Sequence, residues 1–157
     1  MRFSYFHFPF IILLTCSSVM AALSAEHEPV GIVKERIDTM AAMGKSVGVI
    51  VDMIKGKTNF DTQLATQAAS DILDYSLDAS KQFPDTDQSK NGKNSRALPS
   101  IWKERADFDL YLSNLQNESE LLAQVSAMNQ PDLIRPRFAE VVEICSACHE
   151  KYRRPKN

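Results

Sequence analysis

The chain has 157 residues, of which 44% are hydrophobic and 24% are charged, a balance typical of one globular domain with a single core. Its formal net charge of −2 at pH 7 argues against a nucleic-acid-binding protein, because binding to phosphates needs a basic face. The chain contains three cysteines, and two of them lie close together near the C-terminus.

Residues 1–25 have the pattern of a secretory signal peptide. Arg2 precedes an apolar run over residues 8–14, and small residues follow up to Ala25. The run is short for a membrane span, and an uncleaved membrane anchor is the alternative. We expect cleavage near Ser24 or Ala25, export to the periplasm and a mature domain over residues 26–157, with no stable membrane insertion after cleavage.

The first predicted helix begins at Pro29, a first-turn proline, and ends near Gly56. Gly44 within this helix costs about 1 kcal/mol of helix propensity relative to alanine. Its position indicates that something bulky approaches the backbone there. The apolar and small positions alternate in steps of four and three, as on the seam of a bundle helix: Val33, Ile37, Met40, Gly44, Val47, Val51 and Ile54.

Two more helices and a polar link follow. Asn59 is the predicted cap of the second helix, which extends to about Gln82. Residues 84–99 are polar and turn-forming without an apolar period, and they predict a surface loop. Ser100 is the predicted cap of the third helix, which extends to about Met128.

The fourth predicted helix starts near Asp132 and extends to Tyr152. Pro136 lies where it would either delay the regular part of this helix or kink it. The basic end of the helix complements the negative end of the helix dipole. No segment shows strand-like alternation. We therefore predict an all-α fold, an antiparallel up-down four-helix bundle.

The fourth helix carries the spacing C-x-x-C-H at Cys145, Cys148 and His149. Two thiols and an imidazole at this spacing are typical of one haem c, attached covalently through two thioethers, with the histidine left to ligate the iron. A zinc site would need two more Cys or His ligands. A thioredoxin-like pair would normally follow a strand. A plain structural disulfide is the remaining alternative.

With these features the chain resembles the class II c-type cytochromes, the cytochrome c′ family, over essentially the whole mature chain. The matching segments are residues 33–40 in the first helix, Ile101-Trp102 with Phe108 in the third, and residues 145–153 in the fourth. The resemblance implies a four-helix bundle that binds haem near its C-terminus.

The resemblance also implies roles for individual residues. Cys145 and Cys148 would form the thioethers, and His149 would be the proximal axial ligand. Arg36 would pair with a haem propionate, as a guanidinium pairs with a carboxylate. Arg153 would lie beside the proximal imidazole. The alternatives are a solvated Arg36 and, for Arg153, a surface charge that complements the helix dipole.

Met40 would lie over the distal face of the haem. Residues 40–45 resemble the low-spin branch of the family, in which a methionine thioether completes the iron coordination, and Met43 is a lesser candidate for this role. We therefore expect an electron carrier and not an enzyme, with His149 and Met40 as axial ligands. The alternative is a five-coordinate protein that binds nitric oxide or carbon monoxide, with Met40 as a packing residue.

For the partners of the protein, the sequence predicts only the kind of molecule. An electron carrier needs redox protein partners, whose identity the chain does not reveal. By the resemblance, the first helix is the expected face of a homodimer. Nucleic acid is not an expected partner, for the reason of charge given above.

Overall fold

The computed structural model describes residues 29–155. The predicted signal peptide, residues 1–25, lies outside the described residues. Along the described chain the helices are α1 (Gly31–Ile54), α2 (Thr62–Lys81), α3 (Asp87–Asn91), α4 (Ser100–Lys103), α5 (Arg105–Ala127) and α6 (Pro131–Tyr152).

The four long helices α1, α2, α5 and α6 form a bundle. Helix α1 packs on α2, α2 on α5, and α5 on α6. Short links join α1 to α2 and α5 to α6, while a long link joins α2 to α5. This architecture confirms the predicted all-α, antiparallel up-down four-helix bundle. Over residues 29–155, no helix combines the length and apolar character that crossing a bilayer requires.

Two apolar clusters form the core. The larger one joins all four long helices and includes Met43, Ile50, Ile72, Leu122 and Val141. The other, called the aromatic cluster below, consists of Ala79, Phe83, Ile101, Phe108, Leu112 and Tyr152. In it the ring of Phe108 lies 4.7 Å from that of Phe83 and 5.3 Å from that of Tyr152, both edge-on.

Two helices start at residues other than those predicted. Asp61, and not Asn59, caps α2, because its carboxylate accepts a hydrogen bond from the backbone N–H of Leu64 at 2.8 Å. Helix α6 starts at Pro131. Proline lacks a backbone N–H, but an N–H in the first turn of a helix would have no acceptor within the helix. Pro136 therefore lies inside α6 and does not delay its start.

The third predicted helix is interrupted. Glu104, with φ −114° and ψ 41°, separates the short α4 from α5. Ser100 begins α4 and does not cap a long helix. The break allows Ile101 to enter the aromatic cluster and the indole N–H of Trp102 to donate to the Pro84 carbonyl at 3.0 Å. The break thus fastens the start of α5 to the end of α2.

The long link is folded and packed, although a surface loop was predicted. It contains α3, which Thr86 caps through a bond from the Ser89 N–H at 3.2 Å. A Cβ built on Gly92 would lie 2.5 Å from Val33 Cγ2, so the link lies directly on α1. Its last part forms an isolated antiparallel bridge between Ala97 and Arg153, at the end of α6.

Candidate functional site

A cleft of about 200 Å³ lies between α1, α5 and α6, beside the aromatic cluster. Its α6 wall is formed mainly by Cys145, Cys148 and His149, and its α1 wall by Met40, Met43, Gly44 and Val47. Tyr111, Leu112 and Leu115 of α5 complete the lining. The C-x-x-C-H motif and the run around Met40, distant in sequence, are thus brought together at one cavity.

The thiols of Cys145 and Cys148 are free and partly buried, so the structure does not contain the alternative disulfide. Burial raises the pKa of the Cys145 thiol. Burial, with smaller effects of Cys145 and Asp107, raises the pKa of Cys148 to about 11. Both groups are therefore neutral thiols at pH 7, side by side on one face of α6.

His149 is half-buried on the same wall. Burial lowers the pKa of its imidazole to about 4, and the positive charges of Arg153 and Arg96 contribute in the same direction. The ring is therefore neutral at pH 7. Only the neutral imidazole has a lone pair for a metal, so His149 has the protonation state that an axial ligand requires.

These residues fit a haem. Two thiols and a neutral imidazole lie on one wall, and the other walls are apolar, as an apolar macrocycle requires. Ser146 and Val142 at the rim are exposed, so part of a flat ring can reach solvent. Among residues 29–155, no three His, Cys, Asp or Glu side chains converge to hold a metal ion by themselves, which disfavours the zinc alternative.

The two methionines of the α1 wall differ. Met43 is 5% exposed and belongs to the larger core cluster. Met40 is half-buried and packs against the aromatic cluster, as Cys148 does from α6. Beside them, a Cβ built on Gly44 meets no atom within 4 Å. Gly44 is exposed, so the bulky group that its position predicts stays a prediction.

Arg36 is only 6% exposed, so the solvated arginine considered above is wrong. Its guanidinium donates to the Gln82 carbonyl at 2.8 and 3.1 Å and to the Ser89 hydroxyl at 2.7 Å, with longer bonds to the Ser89 carbonyl and to Ser95. It also lies 4.1 Å from the ring centre of Phe83. Burial lowers the pKa of Arg36 to about 10.

Arg36 therefore joins α1 to the C-cap of α2, to the middle of α3 and to Ser95 beyond α3. All of its donors have partners in the long link, so a propionate would have to replace at least one of these bonds. The propionate pairing stays a prediction. The sequence did not reveal the partners, because Gln82 and Ser89 lie more than 40 residues away in a segment without an apolar pattern.

Arg153 is the C-cap of α6, and its N–H donates to the His149 carbonyl at 3.1 Å. Its charge acts on the pKa of His149, which fits the expected place beside the imidazole. Arg96 acts in the same way and was not predicted. The link positions Arg96 through two bonds with Arg154, in which the Arg154 N–H donates at 2.8 Å and the Arg96 Nε at 2.9 Å.

A polar network that the sequence analysis did not identify fastens the end of α6. The buried Tyr152 donates its hydroxyl to the Asp107 carboxylate, and Lys151 binds Glu104 at 2.8 Å and Asp107 at 2.9 Å. The bond from Tyr152, followed by that from Lys151, lowers the pKa of Asp107. Burial and the bond to Asp107 raise the pKa of Tyr152 to about 12. This network holds Cys148 and His149 against α5.

Known proteins resemble the chain in sequence and in structure. Cytochrome c′ of Rhodopseudomonas palustris is 28% identical over 126 residues, which cover 80% of this chain and 84% of the relative. The structure of cytochrome c′ from Shewanella frigidimarina matches with a TM-score of 0.74 and 24% identity, covering 82% and 98% of the two chains. A nitric oxide complex of a mutant cytochrome c′ from Alcaligenes xylosoxidans matches with a TM-score of 0.71 and 22% identity, covering 79% and 94%.

These findings correct the expected function. The matching family model and several sequence relatives carry the name cytochrome c′, which favours the five-coordinate alternative. The predicted electron carrier, with Met40 as a second axial ligand, is therefore wrong, whereas the predicted role of His149 stays a prediction. Neither the family model nor these relatives place the chain in the low-spin branch of the family. Packing of Met40 against the aromatic cluster accounts for a methionine at this position without a bond to iron.

The family model of cytochrome C′ matches residues 31–153, which extend from the first residue of α1 to the C-cap of α6. Members of this family carry a covalently attached haem c, and Cys145 and Cys148 fit that attachment. The predicted cofactor is thereby confirmed. The chain belongs to the cytochrome c′ family.

Proposed function

We propose that the protein is a five-coordinate haem protein that binds nitric oxide or carbon monoxide on the haem face turned toward the α1 wall. One observation supports this most directly. On the α1 wall of the cleft that His149 lines from α6, Met40 packs into the aromatic cluster, which accounts for its side chain without a bond to iron. The nitric oxide complexes among the structural neighbours favour the same function.

Each side chain of the site has its own task in this proposal. Cys145 and Cys148 would hold the haem through thioethers, and the neutral imidazole of His149 would bind its iron. The bound haem supplies an iron with one position open to a small neutral ligand. The apolar α1 wall excludes water and charged groups from that position, and Met40 covers it.

Two arginines complete the site. Burial is the main reason that the pKa of His149 is lowered, and Arg153, together with Arg96, adds positive charge that acts in the same direction. We propose that Arg36 orders the long link beside the cleft and that a haem propionate can exchange with one of its present partners. Of the two hydroxyl groups that Arg36 bonds, Ser95 at 3.3 Å is farther than Ser89 at 2.7 Å and is the first candidate for that exchange.

We further propose a periplasmic location and a non-enzymatic role. The signal pattern in residues 1–25 supports export. A redox protein partner is expected, because carbon monoxide binds reduced iron. A homodimer with α1 as its face is proposed from the membership of the cytochrome c′ family.

Absorption spectroscopy of the purified holoprotein tests the function. We expect a high-spin ferric spectrum at neutral pH, and in the ferrous protein a new band on addition of carbon monoxide or nitric oxide. Met40→Leu should leave the ferric spectrum unchanged, since leucine packs against the aromatic cluster but cannot ligate iron.

Met43→Leu is the matched control, because Met43 lines the same cleft but is buried in the other cluster. A low-spin ferric spectrum with a sulfur-to-iron charge-transfer band, lost in Met40→Leu and kept in Met43→Leu, would contradict the proposed function.

A further inference from the structure

Two arginines lie opposite each other where the long link meets the end of α6. Ala97 and Arg153 form the antiparallel bridge at this place. One residue outward, Arg96 faces Arg154, whose backbone N–H donates to the Arg96 carbonyl at 2.8 Å. The Arg96 Nε donates in turn to the Arg154 carbonyl at 2.9 Å. Residues directly opposite each other in an antiparallel pair have their side chains on the same face, so both guanidinium groups lie on one side of the bridge.

This pair of like charges is unfavourable for the fold itself. Like charges directly opposite each other on two strands destabilise their pairing. In the described part of the chain, neither guanidinium forms a salt bridge with a carboxylate. The nearby carboxylates of Glu104 and Asp107 are bonded to Lys151. The fold thus gives no reason for two arginines here, whereas a ligand of opposite charge would supply one.

The pair is accessible and lies beside the haem site. Arg154 is exposed and Arg96 is half-buried, and neither lines the cleft. Arg153, which precedes Arg154, donates its N–H to the His149 carbonyl at 3.1 Å. Burial is the largest cause of the lowered pKa of His149, and the charges of Arg153 and Arg96 add to it. A negative group in solvent can therefore bind the pair close to His149 without entering the cleft.

We propose that Arg96 and Arg154 bind an acidic surface of a one-electron donor protein, which thereby docks beside the haem. The proposal rests on the proposed function, because carbon monoxide binds reduced iron and a donor has to supply the electron. In that step the donor protein loses one electron and the ferric iron gains it to become ferrous, without a bond being made or broken. Two guanidinium groups on one face suit carboxylates, which they bind through paired N–H donors.

Shape and charge favour a protein over a small anion as the occupant. Small ligands bind mostly in concave sites, whereas these two side chains lie outside the cleft. The chain has 20 Asp and Glu residues against 18 Lys and Arg, so an acidic partner is repelled by the molecule as a whole and attracted at this pair. The pair therefore determines the orientation in which the partner arrives.

Stopped-flow reduction of the ferric holoprotein tests the proposal, with the hydroquinone of a flavodoxin as the acidic donor protein. Arg154→Gln removes one charge, and Arg154→Glu reverses it while leaving an opposite-charge pair with Arg96 that supports the fold. Because electrostatic steering changes association rates by about 10- to 1,000-fold, Arg154→Glu should slow the reduction at least about tenfold at low ionic strength, and Arg154→Gln should slow it less. The difference from the wild type should shrink as salt is added.

Lys55→Gln and Lys55→Glu are the matched controls. Lys55 is the exposed C-cap of α1, at the opposite end of the bundle, and it has no salt bridge among the described residues. These variants change the net charge equally but should slow the reduction far less. The radical of deazariboflavin, a small neutral donor, should reduce all of these proteins at the same rate. Arg154→Gln should unfold at no lower temperature than the wild type, because a like-charge pair is removed.

Equal slowing by Arg154→Glu and Lys55→Glu overturns the proposal, as does a wild-type rate that does not fall with salt. Slower reduction of Arg154→Glu by the deazariboflavin radical also overturns it, because the charge would then act on the haem and not on docking. Binding of phosphatidylglycerol vesicles that Arg154→Glu abolishes, with the flavodoxin rate unchanged, would assign the pair to a lipid surface instead. A wild type with salt-dependent reduction that fails to bind carbon monoxide contradicts the proposed function alone.

Discussion

The α6 wall and the α1 wall of the cleft are built in different ways. The α6 wall places two thiols and an imidazole within five residues of one helix, so the register of α6 alone brings them together. The α1 wall contributes shape, through the packed Met40 and the open Gly44, and depends on where α1 lies relative to α6. The difference teaches that one helix determines which group is attached, whereas the meeting of two helices determines what can reach it.

The two walls are also supported by different interactions. The end of α6 is fastened to the start of α5 by the buried Tyr152 and the exposed Lys151, which both bond Asp107. The first half of α1 is fastened by Arg36, whose buried guanidinium bonds the carbonyls of the long link. Substitutions in the two walls can therefore test haem attachment and the shape of the cleft separately.

The largest effect is expected from removal of both thiols. Replacement of Cys145 and Cys148 by serine should abolish covalent haem, because a hydroxyl group does not form the thioether. Acid-acetone extraction and intact mass measure this loss. Ser146→Ala is the control, since Ser146 is exposed and its hydroxyl bonds only the Val142 carbonyl of the same helix. Haem that resists extraction from the double variant would show that the α6 wall does not attach it.

The next effect concerns the support of the α1 wall. Arg36→Met should lower the free energy of unfolding by about 2 to 4 kcal/mol, because buried carbonyls of the long link lose their donors. Urea denaturation of the holoprotein measures the change. Lys81→Met removes an exposed ion pair with Asp78 within α2 and should cost less than about 1 kcal/mol. Equal losses in the two variants would mean that Arg36 does not anchor the link.

A smaller loss of stability is expected when the support of the α6 wall is weakened. Tyr152→Phe should lower the free energy of unfolding at pH 7 by about 1 kcal/mol, because one hydrogen bond to Asp107 is lost while the ring packing is kept. Denaturation at several pH values adds a second readout. The folded-state pKa of Asp107 is lowered, so its contribution is present above the ordinary carboxyl pKa of about 4 and is lost as pH falls through the lowered value.

Tyr152 is the largest cause of that lowering. Acidification from pH 5 to pH 3 should therefore destabilise the wild type more than Tyr152→Phe. If the free energies of unfolding of the two proteins fall in parallel with pH, the bond from Tyr152 to Asp107 is not the source of the acid destabilisation.

The smallest effects are expected from alanine substitutions at two glycines, Gly48 in α1 and Gly92 in the packed long link. Gly48→Ala should raise the free energy of unfolding by about 0.5 to 1 kcal/mol, because alanine favours the helix and its methyl group meets no atom within 4 Å. Gly92→Ala should instead destabilise, since its Cβ would lie 2.5 Å from the Gln88 carbonyl oxygen and from Val33 Cγ2. Chemical denaturation of both variants measures the opposite signs, and a shared sign would contradict the packing described for the link.

Local patterns predicted much of this architecture. The four long helices and the haem motif follow from apolar periodicity and from one short spacing, and both are confirmed. The interruption at Glu104 was missed, because helix propensity continues across it and only the packing of Ile101 and the bond of Trp102 favour the break. Helix α3 was missed because its residues are polar and gain their order from Arg36.

The candidate site was predicted unevenly for the same reason. Cys145, Cys148 and His149 lie together through helical spacing, which a sequence reveals. Arg96 and Asp107 have no local signal, since each reaches the end of α6 from another segment. Met40 was placed correctly at the cleft, yet its predicted role in an electron carrier was wrong. From the sequence alone, a methionine at that position is as compatible with packing as with ligation of the iron.

By itself, the sequence determined that the chain is helical and that it carries a haem c near its C-terminus, because helical periodicity and C-x-x-C-H depend on neighbours within one or two turns. Only the tertiary structure decided that Arg36 is buried in the long link, that Met40 packs on the aromatic cluster and that Gly44 borders open space. These properties depend on contacts between segments far apart in the chain, and such contacts leave no periodic pattern in either segment.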